Sequence, residues 1–141
     1  MSELKKQNSD TAVESDPFWE MLQTVNYDAS TPQERSRRLC EVLGQMTSKE
    51  VAYFYGRFQG SLAKGLTPEI RAVVEDLVRR EITEDEHIAF LVEMLCLGRP
   101  RWLAMRQDPL SLLDIPSEAI DLERGAEFSK VFRAVVQEKC R

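Results

Sequence analysis

His87 is the only histidine in the chain, and it directly follows the acidic residues Glu84, Asp85 and Glu86. An imidazole that is oriented by a neighbouring carboxylate can act as a general base. Such a base also needs a nucleophile or an oxyanion-stabilising group beside it, and the sequence shows no separate residue for either role. We therefore interpret His87 as a packed or hydrogen-bonded residue near a helix start, with general-base chemistry as the alternative.

The acidic run from Glu84 to Glu86 has a structural and a functional interpretation. Three acids in the first turn of a helix complement the helix dipole, and Glu86 completes a capping box with Thr83. The same charges could meet a basic surface on a partner. Because adjacent acids on one turn point in different directions, they do not suit a preformed metal site. We predict Glu84, Asp85 and Glu86 as partner-binding residues.

A basic group surrounds an aromatic residue in the next segment, where Arg99, Arg101 and Arg106 flank Trp102. Guanidinium groups beside an indole could bind a phosphate or stack on a nucleobase. The simpler interpretation is a helix end followed by a linker, with arginine stems that cover a core edge. The net charge of −5 opposes nucleic-acid binding, which needs a positive field. These residues, together with His87, are therefore alternative ligand-binding residues.

Common catalytic and metal-binding motifs are missing from the sequence. It contains no phosphate-binding glycine loop, no serine-hydrolase elbow, no zinc-protease helix and no pair of cysteines two residues apart. Cys40, Cys96 and Cys140 are odd in number and widely separated, which favours free thiols over a disulfide framework. Cys96 lies in an apolar run and is interpreted as a small core residue. We predict no catalytic residue, no metal and no cofactor.

The elements that must position these residues are helices, and the sequence marks their starts. Capping boxes begin at Thr31, Thr47 and Thr83, while Asp16 and Thr67 each precede a proline at a first helical position. Apolar residues with helical spacing follow these signals and recur near the C-terminus. The four stripes are Leu39, Val42, Leu43 and Met46; Val51, Phe54, Tyr55 and Phe58; Ile70, Val73, Val74 and Leu77; and Phe128, Val131, Phe132 and Val135.

One segment, Ile88 to Leu97, carries apolar residues on two sides instead of one, which is typical of a central helix. Strand signals are nearly absent, because no sustained alternation and no Asn-Gly or Asp-Gly hairpin turn occurs. We predict an all-α fold, an irregular bundle of about six short helices with a central helix near residues 84–97. A turn-rich connection is expected from Asp114 to Gly125. The basic group at Arg35, Arg37 and Arg38 is predicted to lie on a solvated helix face.

Length and composition favour one domain of 141 residues. Residues 1–15 are polar and are predicted to be a flexible N-terminal tail, with a single α-helical domain over 16–141. No apolar run approaches the roughly 18 residues that cross a membrane, and the N-terminus has no apolar signal region. The acidic balance and the unpaired thiols favour a cytoplasmic protein with a basic partner and no membrane contact.

The second half of the chain resembles the bacterial family known as domain of unknown function 4240. In that pattern an acidic pair precedes a Phe-containing apolar helix, followed by Gly-Arg, an aromatic residue, Asp-Pro and Ser-Leu. The matching residues here are Glu84-Asp85, Phe90, Leu95, Gly98-Arg99, Trp102, Asp108-Pro109 and Ser111-Leu112. The resemblance extends over roughly Asp16 to Leu113. It implies an α-helical fold and a bacterial cytoplasmic origin, and it implies no catalytic residue.

Two classes of function are compatible with these observations. The first is a non-catalytic protein-binding domain, in its sharpest form an immunity protein that neutralises a cognate bacterial toxin with a basic surface. Occlusion of a toxin needs surface complementarity and no catalytic residues. The alternative is a small enzyme, or a nucleotide- or nucleic-acid-binding protein, that uses His87 or the Arg99–Arg106 cluster. A deep polar pocket around His87 or Trp102 would favour this alternative.

Overall fold

The computed structural model describes residues 16–29, 31–115 and 121–140. These ranges form seven α-helices and one 3-10 helix and contain no strand, which confirms the predicted all-α class. The helices are α1 (Pro17–Asn26), α2 (Pro32–Gly44), α3 (Ser48–Gly65), α4 (Pro68–Val78), α5 (Glu84–Cys96), α6 (Arg99–Gln107) and α7 (Leu122–Lys139), with the 3-10 helix at Pro109–Asp114 before α7. The predicted tail at 1–15 and part of the predicted connection, 116–120, lie outside the described residues.

Five of the seven α-helices start where the sequence predicts. The start of α7 was not predicted: this helix begins at Leu122, capped by Asp121, so the connection predicted from Asp114 to Gly125 is wrong from Leu122 onward. Thr47 and Thr83 form complete capping boxes with Glu50 and Glu86, in which each side chain accepts from the other residue's backbone N–H. Thr31 and Thr67 accept from the backbone three residues ahead, and Asp16 accepts from two residues ahead. The extra helix is α6, which occupies the segment that was interpreted as a linker, so that interpretation is wrong; its N-cap Gly98 has no side-chain cap. It therefore lacks the polar signal that marks the other starts.

The core is built around α5, as predicted. His87 and every residue from Ala89 to Leu95 are buried, and α5 packs against α1, α3, α6 and α7. Two helices are longer than the expected short ones, since α3 and α7 each have 18 residues. Their apolar stripes meet at a cluster of aromatic rings, in which Phe58 lies 4.9 Å from Phe132 and 6.0 Å from Phe128 between ring centroids.

The helices α5 and α7 approach each other so closely at Gly125 that only glycine fits. A Cβ at this position would lie 2.0 Å from the carbonyl oxygen of Ala89, which is backbone and cannot move aside. The contact fixes the start of α7 against the middle of α5. At the other end of α7, the ammonium of Lys139 donates to the carbonyls of Gly44 and Met46 and so closes the C-terminal end of α2.

No helix in the described ranges combines the length and the apolar character that a membrane span requires.

Candidate binding cleft

Of the three residues in the predicted acidic patch, Glu86 is hydrogen-bonded within the fold, whereas Glu84 and Asp85 are exposed. Glu86 accepts from the Thr83 backbone at 3.0 Å and pairs with the guanidinium of Arg80 at 2.6 Å. The Arg80 hydrogen bond is the main reason why the pKa of Glu86 falls to about 2. Glu84 and Asp85 are exposed on the same turn. A partner could therefore contact Glu84 and Asp85 without breaking a cap, and their role in binding stays a prediction.

His87 lies in the interior, with 3% of its surface exposed. Its ring hydrogen-bonds to the backbone of Gly65, and Nε2 is buried without a hydrogen-bond partner. Burial is the main reason why the pKa of His87 is lowered, so the folded state favours the neutral ring. The groove beside it, about 290 Å³ and bordered by Thr67, Arg71 and Glu84, is shallow. A substrate in that groove would not reach Nε2, because this atom is not exposed to solvent.

The residues of the predicted arginine cluster do not lie together. Trp102 is 2% exposed and packs close to Gly65 and Leu91, so its ring would have to leave the core to stack on a base. Arg101 is exposed and borders a groove beside the 3-10 helix, whereas Arg99 borders a different cleft on the other side of α6. A two-residue spacing on a helix produces this separation, since it turns the side chain by more than half a turn. Arg106 lies nearly two turns after Arg99 and is exposed.

This second cleft, which Arg99 borders, is half-enclosed and has a volume of about 560 Å³. Residues of α1 between Trp19 and Tyr27 form one wall, and the continuous stretch Leu95–Pro100, where α5 turns into α6, forms the other. We call it the α1–α5–α6 cleft. Its volume lies in the range of small-ligand and side-chain pockets, and most of its lining is apolar.

The turn between α5 and α6 depends on Gly98, whose φ of 108° is strained for any residue with a Cβ. This turn leaves Leu97 at the mouth of the cleft with 49% of its surface exposed, opposite α1, where Tyr27 is 73% exposed. Trp19 is partly buried on the same wall. Large apolar side chains that converge on one concave surface are typical of binding sites.

The wall formed by α1 is held in place at its first turn. The carboxylate of Asp16 accepts from both terminal nitrogens of Arg57 on α3, at 2.9 and 2.6 Å, and the Arg57 guanidinium lies 5.0 Å from the ring centroid of Phe18. The hydrogen bond from Arg57 is the main reason why the pKa of Asp16 is lowered. Phe18, Leu22 and Val25 bury the inner face of α1. The cleft therefore has a preformed wall.

Behind the cleft lies a group of polar side chains from four helices, which we call the buried polar centre: Asn26, Arg35, Glu93, Cys96 and Arg124. Arg35 is 3% exposed, and its Nη2 donates to Glu93 Oε2 at 2.7 Å and to the Arg124 carbonyl at 2.9 Å. Its guanidinium also lies 5.1 Å from the ring centroid of Phe128. The interpretation of Arg35 as a solvated residue is therefore wrong. Arg37, by contrast, is exposed, and Arg38 is partly exposed and pairs with Glu34.

Cys96 belongs to the buried polar centre and also lines the cleft, and we call the side of the cleft lined by Asn26 and Cys96 its floor. Burial raises the pKa of the Cys96 thiol to about 12, and the neighbouring Arg35 only partly opposes this shift. The thiol is therefore protonated at neutral pH and is a poor nucleophile. In the described part of the chain, no group of three or more histidine, cysteine or acidic side chains is placed to hold a metal ion.

Sequence reasoning missed the cleft because its residues come from two distant segments. The sequence around Tyr27 and around Leu97 indicates only the end of a helix, and nothing in it shows that the two residues border the same cleft. A signal did exist for the buried polar centre. Glu93 lies in the middle of a run that is apolar on two sides, and a carboxylate in such a position needs a cationic partner. The partner, Arg35, lies 58 residues away in the chain.

Comparisons with known proteins bear on the whole domain. A family model described as "Protein of unknown function (DUF4240)" matches residues 13–140. Neither the comparison with curated proteins nor that with solved structures found a match. The family match covers nearly the whole chain and confirms the predicted resemblance, so the chain belongs to the DUF4240 family.

Proposed function

We propose that this member of the DUF4240 family binds another protein and performs no catalysis, with the α1–α5–α6 cleft as the contact site. The observation that carries the proposal is a half-enclosed cleft of about 560 Å³ with Tyr27 and Leu97 exposed at its mouth. Exposed apolar surface is unfavourable in water, and a partner's side chain in the cleft would remove both residues from solvent. Tyrosine and tryptophan also contribute much of the energy in many protein interfaces.

The chemistry of the interior supports binding over catalysis. The imidazole of His87 is enclosed, and the thiol of Cys96 stays protonated because burial raises its pKa. A general base must reach the proton that it removes, and a cysteine nucleophile must ionise. Neither group meets its requirement in this fold.

The sharpest form of the proposal is an immunity protein that covers a toxin from the same genome. The exposed carboxylates Glu84 and Asp85 would then attract a basic part of the toxin. They lie at the start of α5, whereas the cleft lies at its end. A 13-residue helix is about 20 Å long, so one interface of ordinary size could include both surfaces or only one of them.

The cleft is tested by Leu97→Asp, which adds a charge at the mouth without disturbing the core. The matched control is Leu110→Asp on the 3-10 helix, because Leu110 is even more exposed, at 63%. Both variants and the wild type are used to capture partners from the native host, and the affinity of the captured protein is then measured. We expect Leu97→Asp to weaken binding by about tenfold or more, which corresponds to the loss of one buried leucine contact. Equal affinity of all three proteins would refute the cleft as contact site.

The immunity form has a separate test. Co-expression with a toxin encoded beside this gene should restore growth with the wild type and fail to restore it with Leu97→Asp. The acidic contribution is measured with Glu84→Gln/Asp85→Asn, which leaves the Thr83–Glu86 capping box intact. Association of this double variant should be slower at low salt and should approach the wild-type rate as salt rises. Identical rates over the whole salt series would exclude these two residues from the interface.

A further inference from the structure

The buried polar centre behind the cleft contains more positive than negative charge. It holds the guanidinium groups of Arg35 and Arg124 and the single carboxylate of Glu93, and the protonated thiol of Cys96 adds no charge. In the described ranges no ion pair involves Arg124, and its buried Nε has no hydrogen-bond partner. Arg35 is compensated by Glu93, whereas the half-buried Arg124 is only partly solvated, so this centre favours an anion nearby.

Asn26 connects the buried polar centre to the cleft, because it contacts Arg35 and also lines the cleft. Nη1 of Arg35 makes only a long contact of 3.5 Å with Asn26 Oδ1, whereas Nη2 makes two short hydrogen bonds. Asn26 lines the cleft, and so does Cys96. A stronger acceptor at this end of the cleft would lie in the field of a buried guanidinium whose second nitrogen is poorly satisfied.

The composition of the cleft walls indicates which kind of ligand would bring such an acceptor into the cleft. Apolar side chains dominate them, and the charged side chains among the lining residues are Arg99, at the start of α6, and Glu20, which is exposed to solvent. The field of Glu20 is screened by water, while the charges behind the floor lie in a less polar medium. Asn26 and Cys96 line the cleft next to these charges, and the terminal residue of a polypeptide would bring a carboxylate and a side chain into the cleft together.

We propose that the α1–α5–α6 cleft binds the C-terminal residue of the partner protein, and that this residue has an aromatic side chain and a free carboxylate. The ring covers the apolar walls, and the carboxylate lies at the Asn26–Cys96 end in the field of Arg35 and Arg124. This inference rests on the proposed function, because it takes the cleft as the contact site.

The probes are N-acetyl-tryptophan, which ends in a carboxylate, and N-acetyl-tryptophanamide, which is the same molecule with a neutral end. Each is titrated into the full-length protein while backbone amide shifts are followed by NMR. We expect saturable shifts at Asn26 and Leu97, with the acid binding about tenfold more tightly than the amide, as for one charge-assisted hydrogen bond. Equal affinities, shifts confined to another surface, or no saturable binding of the acid would each overturn the inference.

Two substitutions on α1 with the same charge change locate the carboxylate. Asn26→Asp adds a negative charge at the floor of the cleft, and Gln23→Glu adds one at an exposed lining position. The first should abolish acid binding and the second should only weaken it. If Gln23→Glu weakens binding as much as Asn26→Asp, the carboxylate does not lie at the floor. If Asn26→Asp does not fold, the comparison of acid and amide on the wild type still shows whether the carboxylate contributes to binding.

The outcome separates this inference from the proposed function. If the amide binds as well as the acid, the carboxylate is refuted while the cleft remains a contact site for aromatic side chains. If neither probe binds but Leu97→Asp still weakens partner binding, the identity of the occupant is wrong and the proposed function stands. If Leu97→Asp has no effect on partner binding, the cleft itself is refuted as the contact site.

Discussion

Replacement of Glu93 by glutamine tests whether the ion pair behind the cleft is as buried as its geometry indicates. The pair joins α2 to α5 at 2.7 Å, and the side chains of Arg35 and Glu93 are only 3% and 10% exposed. In Glu93→Gln, Arg35 stays buried and loses its carboxylate, while the Arg124 carbonyl remains as an acceptor at 2.9 Å. Removal of one partner from a buried pair costs about 3–5 kcal/mol of unfolding free energy, because the other charge is left uncompensated.

The assay is urea unfolding followed by circular dichroism, with the free energy extrapolated to water. The matched control is Glu41→Gln, because the Arg37–Glu41 pair is of the same type but its side chains are 63% and 58% exposed. The control should cost less than about 0.5 kcal/mol. A cost below about 1 kcal/mol for Glu93→Gln, with an unchanged urea dependence, would refute the reasoning, since Arg35 would then be reaching water. The double variant Arg35→Met/Glu93→Met should recover most of the loss.

Three further predictions concern the core. Leu91→Ala should destabilise the fold by about 2–5 kcal/mol in the same assay, because Leu91 is fully buried on the central helix, and a near-neutral result would contradict that placement. Gly125→Ala should cost about 3 kcal/mol through the clash with the Ala89 carbonyl, whereas Gly44→Ala, with no atom within 4 Å of its Cβ, should be neutral or stabilising. Burial lowers the pKa of His87 in the folded state. The stability that the neutral ring contributes should therefore be fully present above about pH 6.5, and the free energy of unfolding should fall as the pH drops below that value. His87→Gln should flatten the melting temperature between pH 7 and pH 5, and an unchanged slope would show that other groups cause the loss.

The helices and their starts follow from the sequence because the interactions that define them are local. Thr47 and Thr83 cap backbone groups within three residues of themselves, and this geometry holds in any fold that contains the helix. The central position of α5 was also predictable, since a helix that is apolar on two sides must be covered on both. Two helix starts were exceptions. The short helix α6 begins after Gly98 without a polar cap, and α7 begins at Leu122, inside the connection predicted from Asp114 to Gly125.

The tertiary structure alone decided which polar residues are buried and which surfaces are concave. Arg35 belongs to the same basic group on α2 as Arg37, yet it is buried because Glu93 and the Arg124 carbonyl meet it from α5 and α7. In the same way, Tyr27 and Leu97 border one cleft because α1 packs beside the central helix α5. Burial and concavity depend on the contacts between distant segments, and a pattern read along one segment does not contain the position of another. The sequence therefore determines most of the helices of this protein, while the packing between them determines the α1–α5–α6 cleft.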